Sequence, residues 1–238
     1  MKMKRIVWVL ITISILILSV TIYLQTLDQS EDMTTTAAIP VKNETFKQKV
    51  LRTMYPFIRK MGKKGKNGSI LVNTHEKVPA APFYDLVVVL NGGQPFNFSE
   101  LKNRKVLLVN TASDCGYTGQ YAELQSLHER FGDSLQIIAF PANDFADQEK
   151  SSDQEIAQFC QINYGVNFPI AIKGVVVKNN QQQAVFKWLT DSSLNGWNDH
   201  APDWNFGKYI INESGVLTHY FGPAVSPLEP QFLAALGF

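Results

Sequence analysis

Only two cysteines, Cys115 and Cys160, occur in the 238 residues. That excludes a scaffold built on disulfides and a four-cysteine zinc site. The four histidines, His75, His128, His200 and His219, are scattered with no H-x-x-x-H spacing, so a metal site has no support in the sequence. No internal repeat is present, and the net charge is only +1. That near-neutral total hides an asymmetry. Residues 1–83 carry 13 of the 22 Lys/Arg and 5 of the 21 Asp/Glu, which leaves residues 84–238 at −7. An acidic globular part behind a basic leader argues against a nucleic-acid-binding protein. With 45% hydrophobic and 18% charged residues, the chain has enough apolar material for a packed core.

One long hydrophobic run stands out. After Met1–Arg5, with Lys2, Lys4 and Arg5, residues Ile6–Leu24 (IVWVLITISILILSVTIYL) contain no charge. At 1.5 Å per residue this run spans about 28 Å, close to the bilayer core. A cleaved signal peptide has a shorter apolar core with small residues at a nearby cleavage site, and Gln25-Thr-Leu-Asp28 offers none. The reading favoured is an uncleaved single-pass anchor, with a cleaved signal as the alternative. The cationic N-terminus places residues 1–5 in the cytoplasm and the bulk of the chain on the extracytoplasmic, periplasmic side. Nine basic residues and one acid in 42–66 pull against that orientation.

Residues 25–80 read as a basic tether. Apolar groups at 46, 50, 54, 57, 58 and 61 form a helical stripe beside a cationic face, as in an interfacial helix, with Pro56 expected to kink or divide it. A solvated tether is the competing reading. Gly62–Ser69 (GKKGKNGS) reads as a flexible linker, and the globular domain is placed at 81–238.

Within that domain, Asp85–Leu90 and Pro95–Phe98 flank Asn91-Gly-Gly as a hairpin. Lys105–Asn110, Leu135–Phe140 and Phe168–Ile172 read as buried strands, and Tyr121–Phe131 as a helix. Ser152-Asp-Gln-Glu155 is a capping box that opens a further helix containing Cys160. A helix near Ala184–Thr190, a hairpin from Lys208–Asn212 to Val216–Phe221, and a helix over Pro227–Leu236 complete the chain. Alternating strands and helices with a terminal hairpin give a three-layer α/β fold with a central mixed sheet.

Chemistry concentrates in Asn110-Thr-Ala-Ser-Asp-Cys115-Gly-Tyr-Thr118, between a strand and the next helix. A cysteine there faces free N–H groups that favour thiolate, which predicts an exposed, nucleophilic sulfur. A buried, inert cysteine is the alternative. The residue three positions on is Thr118, so a C-x-x-C dithiol is absent and a lone thiolate that attacks an electrophile such as a peroxide is favoured.

NTASDCGYT, FPANDFADQE and DWNF together resemble the glutathione peroxidase family, whose usual forms are NVASxCGxT, FPCNQFGGQE and WNF. The resemblance covers residues 84–238. It implies a thioredoxin-like fold with Cys115 as the peroxidatic residue and Gln148, Trp204 and Asn205 as its partners. Gln, Trp and Asn side chains supply neutral donors that favour thiolate and stabilise a leaving oxygen.

The chain departs from the family pattern in the second motif. Ala142 replaces a cysteine, Asp144 a glutamine, Ala146-Asp147 two glycines and Lys150 a proline. The Gln148 loop is therefore expected to be less flexible. Asp147 would raise the thiol pKa if it came close, and Lys150 would offset it. Cys160 resembles the resolving position of fungal and many bacterial members, although its place beside Ile156 and Phe159 also suits a core cysteine.

The stretch from Pro169 to Trp204 is short, which the resemblance links to a monomer, an open site, and lipid hydroperoxides as substrates. The expected activity is a thiol peroxidase acting on hydrogen peroxide and organic or lipid hydroperoxides. Electrons would come from a thioredoxin-like protein or glutathione, with no cofactor. The rival reading is a membrane-tethered redox sensor or interaction module with negligible turnover.

Overall fold

The computed structural model describes residues 44–238, so the expected n-region 1–5, the apolar run 6–24 and the tether up to residue 43 lie outside the described residues. Among the described residues no helix is long and apolar enough to cross a membrane.

The centre is a five-stranded mixed sheet in the order β1-β7-β6-β4-β5, built from β1 (Ile70–Val72), β4 (Lys105–Thr111), β5 (Leu135–Pro141), β6 (Lys208–Ile211) and β7 (Leu217–Phe221). β4 and β5 run parallel, connected through α2 (Gln120–Phe131), and the remaining pairs are antiparallel. A separate hairpin pairs β2 (Val87–Val89) with β3 (Pro95–Asn97). The central strands are apolar because both faces are covered. Leu107, Val109, Ile137 and Ile210 point into one core with Tyr121, Leu124, Ile156 and Phe232. Val106, Leu108, Ile138 and Tyr209 point into a second core with Phe83, Phe98, Phe186 and Trp188. The alternation follows from the two-residue period of a strand.

The helices on the first face are α2, α3 (Asp153–Tyr164) and α6 (Pro230–Ala235); α4 (Ala184–Leu189) covers the second, and α5 (Ser192–Asn195) is a single turn. The capping box at Ser152 and Glu155 forms as expected, and α3 ends at Gly165, whose φ of 66° suits a residue without a side chain. This is the thioredoxin-like α/β arrangement with a central mixed sheet.

The segment Phe168–Ile172 behaves differently from its sequence reading. It makes only isolated bridges, Ile170 to Ala139 and Ala171 to Leu90, rather than a full strand. Pro169 supplies a carbonyl to Ala139 N–H but has no N–H to extend a ladder.

The segment before residue 81 also differs. α1 (Phe46–Gly62) is one helix that runs through Pro56, opened by a capping box at Thr45 and Gln48. Both halves are held against the domain, which offsets the hydrogen bond that Pro56 removes. Tyr55 is buried with its hydroxyl on Glu123 at 2.8 Å, Ile58 packs on the first core, and Arg59 and Lys63 pair with Glu229 at 2.6 and 2.7 Å. The glycine-rich stretch read as a linker is pinned by Gly222 N–H on Ser69 O at 2.8 Å and Ala224 N–H on Asn67 O at 2.7 Å. β1, still before residue 81, is the edge strand of the main sheet. The packed structure therefore reaches back to α1. Gly/Lys composition read as mobility, while the pairing partners lie about 150 residues further along the chain.

Candidate active site

Cys115 lies on the loop between the end of β4 and the start of α2. Thr118 fixes that loop. Its hydroxyl accepts from Cys115 N–H at 3.1 Å and donates to Ala112 O at 2.8 Å. The third position after the cysteine, where a dithiol would carry its second sulfur, thus holds the turn shut. Tyr117 N–H donates to Cys115 Sγ at 3.4 Å.

The site's other residues arrive on two loops. Asn205 donates from Nδ2 to Gln148 Oε1 at 3.0 Å, and the Trp204 and Asn205 side chains lie near enough to the Cys115 sulfur to favour its thiolate. Asp114 N–H donates to Gln148 O at 3.1 Å, which locks the two loops together beside the sulfur. The four residues chosen from sequence are therefore one cluster. Asn205 Oδ1 is buried without a hydrogen-bond partner.

The backbone of the Trp204–Gly207 turn is held by two residues that sequence reading did not single out. Asn110, at the end of β4, donates from Nδ2 to Trp204 O at 3.1 Å and accepts Gly207 N–H on Oδ1 at 2.9 Å, while its carbonyl accepts Phe206 N–H. Lys208 is fully buried, and its Nζ donates to Phe206 O and Gln120 Oε1, both at 2.7 Å. Phe206 needs this support because its φ is 70°, in the left-handed region that costs a side-chain-bearing residue energy. Burial without a carboxylate in contact lowers the Lys208 pKa to about 7. Asn110 was visible in the quoted motif, whereas a lysine opening a strand gave no signal.

The Gln148 loop carries strain of the same kind. Ala146 and Asp147 have φ of 52° and 53°. The resemblance placed glycines here, and this chain keeps the left-handed backbone without them. Glu149, the next residue, is buried; its Oε2 accepts Ser113 N–H at 2.7 Å and Ser113 Oγ–H at 2.9 Å, while Oε1 has no partner. Burial pushes its pKa up to about 7 against those two bonds. Asp147 turns away to solvent, accepting from Asn143 at 3.1 Å and lying 3.6 Å from Lys150. It is absent from the groups that act on Cys115. Phe145 stacks obliquely on Trp204, ring centroids 5.6 Å apart.

The exposed thiolate expected from sequence is not what the structure holds. Cys115 has no accessible surface, and burial pushes its thiol up to about 11 despite the donors from Tyr117, Trp204, Asn205 and Gly116. Part of the cover is α1. Gln48 Nε2 donates to Asp114 Oδ1 at 2.8 Å and Lys47 Nζ lies 3.3 Å from Asp114 Oδ2. Ile58 packs so closely on Gly116 that a Cβ there would sit 3.0 Å from its Cδ1. Tyr55 likewise closes on Gly119. Desolvation by burial outweighs the N–H groups of the loop at the sulfur.

Cys160 is also fully buried, inside α3, and burial pushes its thiol up to about 12. Its sulfur faces the Tyr121 hydroxyl in the same core that contains Cys115. Among the described residues no group of three or more His, Cys, Asp or Glu is placed to hold a metal.

The glutathione peroxidase family model matches residues 83–190. Glutathione peroxidase-like peroxiredoxin HYR1 of Saccharomyces cerevisiae is 42% identical over 146 residues, 61% of this chain and 89% of the yeast protein. The chain belongs to the glutathione peroxidase family. Glutathione peroxidase homolog BsaA of Staphylococcus aureus is 39% identical over 147 residues, 61% of this chain and 92% of its own. The crystal structure of T. cruzi GPX1 superimposes with a TM-score of 0.50 at 27% identity, covering 66% of this chain and 97% of that one. A DsbF homologue from Corynebacterium diphtheriae, at 14% identity and a TM-score of 0.50 over 73% of this chain and 95% of that one, shares the fold alone. As a member of this family, the protein is a thiol-dependent peroxidase. The matched family region begins after α1 and β1, so the helix over Cys115 lies outside it.

Proposed function

We propose that this protein reduces hydrogen peroxide and organic or lipid hydroperoxides through Cys115. The supporting observation is the convergence of Trp204 and Asn205 on the Cys115 sulfur, with Gln148 bonded to Asn205. In the reaction, the Cys115 thiolate attacks one peroxide oxygen, forming an S–O bond as the O–O bond breaks. The departing oxygen leaves as alkoxide or hydroxide and takes up a proton as alcohol or water. Donors fixed around that oxygen stabilise its developing charge without reorganising. The partnerless Asn205 Oδ1 is an acceptor for the peroxide O–H.

The product at the enzyme is a Cys115 sulfenic acid. In this reading Cys160 condenses with it, releasing water and forming a disulfide. A thioredoxin-like protein then reduces the disulfide with two thiols; glutathione is the alternative donor. Because Cys160 is buried in α3, the second half of that helix must unwind for the sulfurs to meet. The protein acts as a monomer, anchored by residues 6–24 with its catalytic domain on the extracytoplasmic side.

The test is peroxide consumption by the full chain with excess dithiol, wild type against Cys115→Ser. Turnover lost in the variant is expected. Slow consumption equal in both would remove the enzyme and favour the sensor.

A further inference from the structure

α1 has two working faces. At about 100° per residue, the inner face carries Gln48, Tyr55, Ile58 and Arg59 against the Cys115 loop and the first core. The opposite face carries Phe46, Val50, Met54, Phe57 and Met61 within an arc of about 80°. These five side chains are 82, 38, 43, 56 and 63% exposed. A soluble helix packed on a core ordinarily turns polar residues outward, so an outward apolar stripe marks a contact surface.

The charges beside the stripe say what kind of surface. Lys47 borders one edge, and Lys49 and Lys60 border the other. The helix contains no acidic residue. Arg52, Arg59 and Lys47 are engaged with Glu44, Glu229 and Asp114, while Lys49 and Lys60 have no ion-pair partner among the described residues. Lys64 and Lys66 follow directly in the pinned turn. Apolar groups with lysines on both flanks match a layer that is apolar beneath and anionic at its surface.

We propose that the outer face of α1 is a docking surface for an anionic lipid bilayer. The stripe enters the interface and Lys49 and Lys60 on its free flank meet phosphate headgroups, while Lys47 stays paired with Asp114. Because the inner face touches Asp114, Gly116 and Gly119, lipid contact sets the Cys115 loop about one helix diameter, some 10–12 Å, from the bilayer surface. This supports the lipid-hydroperoxide reading of the same site and rests on it. The sequence supplies an independent argument. The uncharged run 6–24 ends only 21 residues before Thr45, short enough for α1 to reach the membrane that such a run would enter.

The test uses the full chain with a nitroxide at Phe57→Cys in a Cys115→Ser, Cys160→Ser background. It is reconstituted with vesicles of pure phosphatidylcholine or of phosphatidylcholine and phosphatidylglycerol at seven to three. The nitroxide is expected to become accessible to oxygen and shielded from a water-soluble nickel complex only in the mixed vesicles. Lys49→Glu, Lys60→Glu should return it to water and, measured as the salt-sensitive fraction of binding, weaken association at least about tenfold.

A nitroxide in water in both vesicles, with the chain still retained through high salt, overturns the docking surface and leaves the anchor standing. Retention only by mixed vesicles, salt-sensitive and with the nitroxide in lipid, supports the docking surface and removes the anchor. A nitroxide shielded from both reagents regardless of lipid means that residues 6–24 or a second copy cover the stripe, which overturns the proposal. No retention by either vesicle removes both readings.

Discussion

Asn205 and Gln148, 57 positions apart in sequence, meet through an Nδ2–H to Oε1 hydrogen bond of 3.0 Å beside the Cys115 sulfur. The bond fixes which atom each amide presents: Asn205 keeps a buried, unpartnered Oδ1, and Gln148 is held by its oxygen. Removing either side chain therefore disturbs the other. Asn205→Ala and Gln148→Ala are each expected to slow oxidation of Cys115 by peroxide about 10²–10³-fold, the range for losing one preorganised donor. The double variant should fall well short of the product of the two losses, because the residues act as a unit. Stopped-flow oxidation rates check this, and strict multiplicativity would refute the coupling.

The cover over Cys115 predicts its pH dependence. A thiol held near 11 is almost wholly protonated at neutral pH, so alkylation by iodoacetamide should rise about tenfold per pH unit between pH 7 and 9. Ile58→Ala opens the contact with Gly116 and admits water. The Cys115 pKa should then fall by about one unit and alkylation at neutral pH should rise about tenfold. An unchanged rate would mean that the cover lies elsewhere, on the Gln148 or Trp204 loop.

Cys160 tests how far the resting structure must move. One equivalent of peroxide should yield a Cys115–Cys160 disulfide in the wild type, detectable by peptide mass, with loss of helical signal from the second half of α3. In Cys160→Ser the sulfenic acid should persist, react with dimedone and proceed to sulfinic acid at higher peroxide. Equal dimedone labelling in wild type and variant would make Cys160 a core residue.

Much of this was legible in the chain. Val106, Leu108, Ile138 and Phe140 announced buried strands, and Ser152 with Glu155 announced the start of α3. Cys115, Gln148, Trp204 and Asn205 could be chosen because each stands in a dense local motif. The burial of Cys115 was not legible. The local pattern reports N–H groups near the sulfur, but part of the cover comes from Tyr55 and Ile58 against Gly119 and Gly116, about 60 residues earlier, in a segment whose lysines suggested a tether. Lys208 was hidden for a related reason. A lysine is ordinarily exposed, and only the fold supplies Gln120 and Phe206 as its acceptors.

The left-handed residues of the Gln148 loop predict an easy stabilisation. Ala146 gains nothing from φ of 52° that would offset the clash of its Cβ, whereas Asp147 has a hydrogen bond with Asn143. Ala146→Gly removes a cost of about 1–2 kcal/mol and adds about 0.5–1 kcal/mol of unfolded-state entropy. The net gain should be about 0.5–1 kcal/mol, or a rise in Tm of roughly 1–4 °C by calorimetry. Ala146→Val should lower Tm. If Ala146→Gly also lowers it, the left-handed backbone at 146 is not strained.

Glu149 couples stability to pH through the same loops. Its pKa is near 7 in the folded protein and near 4.5 in an ordinary carboxyl, so the native state holds the proton more tightly. The stabilisation is fully present below about pH 4.5 and is lost as pH rises to 7, by at most roughly 3 kcal/mol. Glu149→Gln keeps an acceptor for the Ser113 N–H and hydroxyl but carries no titrating group. Urea midpoints of the wild type should therefore fall relative to the variant between pH 5 and 7, and the variant should be the more stable protein at pH 7. Lys208 does not confuse this window. Its lowered pKa, also about 7, makes stability rise with pH, but only above that value and in both proteins alike. His219, lowered by burial, is likewise common to both and cancels in the comparison. Parallel curves across pH 5–7 would mean that the two Ser113 bonds hold Glu149 ionised throughout, and that the unpartnered Oε1 is reached by water.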